Sequence, residues 1–190
     1  MTVRFAAYAF VVLLCLGTFG HAQSALAATP GALDTPPAEY SVDRLDKSPR
    51  VVIDLCDRFK KSPWSADGMS SARVLMDYAD KSDKVTLKIG SVILQPIVDD
   101  HSQLNLRLLT LYVNGELRWA LAHKGLADDS DAARAAGLTE LVEGYQNMLT
   151  ERPDLRSPFG DRLAALQSKG SFNEYLAEVR QKEKASKPGH

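Results

Sequence analysis

Few side chains in this sequence are of types that do chemistry. It holds 4 histidines and 2 cysteines in 190 residues. His21 and Cys15 fall in an apolar N-terminal stretch, which leaves His101, His123, His190 and Cys56. None of these stands in a His-x-x-x-His or Cys-x-x-Cys spacing, the patterns that bring metal ligands together. If the segment between them is one helix, His101 and His123 sit on the order of 30 Å apart at 1.5 Å per residue and cannot share an ion. Asp99, Asp100 and His101 read as the charged start of that helix rather than as a cation or acid–base cluster. The neighbouring carboxylates Asp99/Asp100 and Asp128/Asp129 diverge, whereas a glycosidase pair must face each other across a sugar. A Gly-x-Ser-x-Gly elbow and a glycine-rich phosphate loop are both lacking, and Asp67-Gly68 and Lys169-Gly170 read as ordinary caps and turns. Cys56 lies between Leu55 and Phe59 and reads as an inert, buried small hydrophobe. We therefore expect no catalytic residue, no cofactor site and no metal site, and lean against an enzyme.

What remains is recognition chemistry. A polar stripe of Gln103, Arg107, Thr110, Asn114 and Arg118 runs through the most apolar segment outside the N-terminus. Arg107, Asn114 and Arg118 are the expected partner-binding residues, since forked donors grip a carboxylate or a peptide backbone. The competing reading pairs them with acidic neighbours such as Glu116 or Glu140, or turns them to water. Tyr112, Trp119, Tyr145 and Met148 are the expected walls of an interhelical pocket for a small molecule or lipid. At helical spacing, the same row also reads as core.

The stripe depends on the segment His101 to Gly125, which reads in two ways. As a helix it carries two apolar rows, one containing Leu104, Leu108, Leu111, Gly115 and Trp119, the other Leu106, Leu109, Val113, Leu117 and Leu121. Apolar groups around most of the circumference mean a helix surrounded by others. His123, Lys124 and Gly125 would close it, the glycine taking the left-handed position. As a hairpin it would turn at Asn114-Gly115 and pair with a strand from Val85 to Ile89. Leucine and alanine richness favours the helix. The strand and the hairpin stand or fall together.

The other segments supply helix starts. Ser48-Pro49 opens a helix with Val52, Leu55, Cys56 and Phe59 on one face, ending near Lys61. Ser65 is an N-cap, with Trp64 and Met69 placed for a hydrophobic staple and Met69, Ala72, Leu75, Met76 and Ala79 as the buried face. An extended piece to Gly90 then gives way to a short helix from Ser91, interrupted by Pro96. Ser130 caps a helix whose core row is Ala133, Leu138, Leu141, Val142, Tyr145, Met148 and Leu149. Its slim first half, Ala132 to Gly137, permits close approach of a neighbour, with the turn around Gly115 as the expected partner. Ser157-Pro158 and Ser171 open two more helices, separated by Gly170.

The N-terminus reads as an export signal: Arg4, an apolar run from Phe5 to Gly20, then small residues at Ala25 and Ala27. The run is shorter than the ~20 residues that span a bilayer. Removing 27 of the 190 residues leaves 163, one domain's worth, and takes away Arg4 alone, so 22 basic residues face 24 acidic ones, a net charge of −2. No basic surplus points to nucleic acid. The single remaining cysteine forbids an internal disulfide.

The expected fold class is all-α: six to seven short helices packed as antiparallel hairpins around a central helix at about 101–124. The alternative is α+β, with a small antiparallel sheet from 84–121. The expected organisation is a signal peptide at 1–27, a flexible leader at 28–47, one helical domain at 48–180 and a disordered tail at 181–190. The expected function is an exported binding module, periplasmic or secreted, that engages a protein or peptide partner. A small-molecule or lipid carrier and an enzyme with an unfamiliar site are the alternatives.

Overall fold

The computed structural model describes residues 40–185 apart from 88, 90, 100–101 and 125–130. Within them the chain is all-α, with eight helices and no strand. α1 spans Val42–Leu45, α2 Pro49–Lys61, α3 Ala66–Lys81, α4 Ser91–Val98, α5 Gln103–Ala122, α6 Asp131–Glu151, α7 Pro158–Ser168 and α8 Phe172–Ala185.

The central segment is one helix, which overturns the α+β alternative. α5 runs without a break through Asn114-Gly115, and Ser102 caps it by accepting a hydrogen bond from the Asn105 N–H at 3.2 Å. The turn signal fails because Asn114 and Gly115 are both buried in helix packing, where tertiary contacts override local preference. Val85 and Leu87 are buried around an exposed Thr86, so the alternation is real. It belongs to an extended connection, in which Thr86 makes only an isolated bridge. α5 ends at Ala122 with His123 as its C-cap, and Lys124 takes the left-handed conformation (φ 63°); Gly125, expected to take it, lies outside the described residues.

α5 touches α2, α3, α4 and α6, while α6 also touches α2, α7 and α8. The α5–α6 contact is the most extensive in the fold. Its cause is a seam of missing side chains. A Cβ on Gly115 would strike the carbonyl oxygen of Ala136 and come within 2.7 Å of the Gly137 Cα. One on Gly137 would meet the Tyr112 ring at 2.8 Å, and one on Gly144 would run into Leu111. The expected approach of Gly115 to the slim half of α6 is thus present.

Most of the expected faces are buried. Val52, Leu55, Cys56 and Phe59 of α2 are at most 2% exposed. In α6 the row from Ala133 to Met148 is equally closed, with Leu149 half-buried. Gly170 (φ 69°) reverses the chain between α7 and α8. The helical body extends beyond the expected 48–180 at both ends. Leu45 of α1 is 2% exposed against α2 and α3, and Ser82 donates to Asp46 at 2.6 Å. At the other end, Glu183 forks onto Arg134 at 3.2 and 3.3 Å and holds the last turns of α8. No helix among the described residues is long and apolar enough to cross a membrane.

Candidate functional site

The stripe on α5 divides into a paired end and an unpaired end. At the paired end, Arg118 Nε donates to Glu140 at 3.1 Å and its Nη2 bonds Asp57. Lys60 adds bonds to Glu140 at 3.0 Å and Glu143 at 2.9 Å. Two cations and three carboxylates from α2, α5 and α6 thus form one network. Burial presses on the Arg118 charge, but Glu140 and Asp57 more than offset it and hold its pKa above the ordinary value. Burial likewise presses Lys60 down, and its bonds to Glu143 and Glu140 outweigh that and raise it. The acidic-neighbour reading therefore describes Arg118, with Glu140 as partner. Glu116 lies elsewhere: it is 1% exposed beside Tyr112, whose hydroxyl pKa is raised well above normal by burial and by the Glu116 charge.

Asn114 is fully buried, and neither amide atom finds a hydrogen-bond partner. Cys56 is buried too, and desolvation pushes its thiol pKa up to about 12, which leaves no thiolate near neutral pH.

At the other end stands Arg107, 8% exposed. Its Nε donates to the Pro63 carbonyl at 3.0 Å, and Nη1 reaches the backbone and side-chain oxygens of Gln103, each at 2.9 Å. The guanidinium lies 3.9 Å above the Trp64 ring. Trp64 is set there by the turn before α3, where Ser65 accepts from the Gly68 N–H at 2.9 Å. Among the described residues no carboxylate pairs with Arg107, and its Nε and Nη1 bonds are to Pro63 and Gln103 alone. Burial alone pushes its pKa down to about 10. That shift corresponds to a penalty on the order of 3 kcal/mol on the charged form.

Arg107 borders a groove between α2, α3 and α5. Phe59 and Ala72 form its floor; Met69 and Met76 make one wall, Leu106 and Leu109 the other. Arg73, Gln103, Arg107 and Thr110 complete the lining. The groove is shallow, with a cavity volume of about 50 Å³. Its four wall residues are all half-exposed. Met69 and Met76 were expected to be buried; α5 approaches this edge of α3 without covering it, and Val74 and Tyr78 are buried instead.

None of the expected pocket walls lines this groove. Tyr112, Tyr145 and Met148 are at most 1% exposed. The Tyr145 hydroxyl accepts from the Ser157 N–H at 2.8 Å and donates to Asp161 at 3.0 Å, fastening α6 to the start of α7. Trp119 stacks on His123 at 4.0 Å, and a His123 ring nitrogen is 2.7 Å from the Trp119 carbonyl. His101 and Asp100 lie outside the described residues. No three His, Cys, Asp or Glu side chains among the described residues converge as metal ligands would. The sequence signal that could have located the groove was Met69 and Met76, seven positions apart on one face. Comparison with known protein families, curated proteins and solved structures finds no match.

Proposed function

We propose that this chain is an exported helical binding module that engages a peptide or protein partner through the groove between α2, α3 and α5. The observation that carries the reading is Arg107, a buried guanidinium without a counter-ion at the rim of a half-exposed apolar channel. A protein rarely keeps a buried charge unpaired, because the desolvation penalty is then uncompensated. Methionines in the wall suit the role, since their unbranched side chains repack around different apolar groups. Export rests on the Arg4-to-Ala27 pattern. The arrangement of helices as antiparallel pairs around α5 draws support from its contacts with α2, α3, α4 and α6. A carrier would hold its ligand against Tyr112, Tyr145 and Met148, which are closed core, so the groove is favoured over that alternative.

The test is site-specific photo-cross-linking in the cell envelope. A cross-linker at Leu109 should yield an adduct with a partner polypeptide, while one at Lys169, exposed and outside the groove, should not. Adducts at both positions alike, or at neither, would count against the groove.

A further inference from the structure

We propose that the groove reads a free carboxylate next to an apolar side chain, namely the C-terminal residue of a partner peptide. The apolar side chain would lie between Met69, Met76, Leu106 and Leu109, and the carboxylate would pair with Nη2 of Arg107. This deepens the binding-module reading and rests on it.

Charge is the first argument. Among the described residues the groove lining includes Arg73 and Arg107 and no aspartate or glutamate. Arg107 itself is more than nine-tenths buried, and its hydrogen bonds among the described residues end on neutral oxygens of Pro63 and Gln103. Those bonds engage Nε and Nη1 and fix the guanidinium plane. The Trp64 ring below it blocks one face and adds rigidity. A guanidinium edge held in one orientation is a carboxylate receptor, because charge-assisted, forked hydrogen bonds are the stronger and more directional ones.

Length is the second argument. Met69 and Met76 are seven residues apart, about 10 Å along a helix. That wall suits one or two peptide side chains. It is short for a membrane-lipid acyl chain, which fills half of the ~30 Å hydrocarbon core. An internal Asp or Glu would also present a carboxylate, but its neighbours continue in both directions, whereas a C-terminus ends at the closed Arg107 corner.

The test uses the folded full chain and synthetic hexapeptides ending in Leu, Val, Phe or Ser, each as free acid and as carboxamide. Binding is read by NMR from the Trp64 indole N–H and the Arg107 Nε–H. The free acids ending in Leu, Val or Phe should shift both signals and bind at least about 10-fold tighter than their carboxamides, the yield of one charge-assisted bond. The peptide ending in Ser should bind weakly. Leu109→Asp, on the half-exposed wall, should abolish binding while leaving the far-ultraviolet spectrum unchanged. Equal binding of acid and carboxamide would overturn the carboxylate inference while leaving the groove reading intact. Octanoate binding tighter than every peptide would replace the peptide by a fatty acid and overturn the inference. Absence of any shift with all peptides would sink both.

Discussion

Arg107 and Arg118 lie on one stripe of one helix, and their surroundings are opposite. Arg118 is met by Glu140 and Asp57, in a network that also neutralises Lys60. Arg107 is the more buried of the two and meets only neutral oxygens and an indole face. The first arrangement is complete without a ligand and ties three helices together. The second has no carboxylate partner among the described residues and stands beside a partly exposed apolar groove. A charge met by internal carboxylates belongs to stability; one met only by neutral oxygens is what the proposed recognition of a carboxylate would use.

The contrast breaks most easily at its paired end. Glu140→Ala leaves two partly buried cations without their shared carboxylate and should cost about 3–5 kcal/mol in denaturant unfolding, the usual penalty for splitting a buried pair. A loss below ~1 kcal/mol would mean that the network is solvated and that Arg118 is no more structural than Arg107. Gly115→Ala probes the seam beside that network. Its methyl would collide with backbone at Ala136, which cannot swing aside, so a loss of roughly 2–4 kcal/mol is expected. Gly144→Ala meets the flexible end of Leu111 and should lose less.

Arg107→Met sharpens the unpaired end. It removes a desolvated charge along with its bond to the Pro63 carbonyl, and these effects oppose each other. Stability by thermal unfolding should therefore change by less than about 1 kcal/mol, while carboxylate binding disappears. In the unaltered protein the same binding should be flat from pH 5 to 9. Burial lowers the pKa of Arg107 to about 10, so its charge, and carboxylate binding with it, fades as pH rises through that value. The other cations near this corner are Arg73 in the lining and Arg152, 5.8 Å from the Trp64 ring. Binding that persists unchanged above pH 11 would assign recognition to those residues instead.

Much of the scaffold was legible in the sequence. The Ser65 and Ser157 caps, the proline starts, the α2 face and the approach of Gly115 to Gly137 all follow from local spacing, because a period of three and four fixes which residues share a face. The pairing of Arg118 with Glu140 was legible as one of two alternatives. Periodicity could not show whether an apolar face has a neighbour. Met69 and Met76 look like core in sequence and become a groove wall only because α5 stops short of covering them. Four-residue α1 is too short to show any period. That no carboxylate among the described residues meets Arg107 is a property of three helices together, and no local pattern contains it.

The glycine seam also has a consequence in time. Arg118 and Glu140 are 22 residues apart in the chain, whereas Arg107 and the Pro63 carbonyl are 44 apart. Closing the shorter loop costs less chain entropy, so the α5–α6 hairpin is the cheaper nucleus and the groove assembles on it afterwards. Damage to the seam should therefore slow folding, while damage to the groove should mainly hasten unfolding. The Arg107 corner then forms after the glycine seam and opens before it.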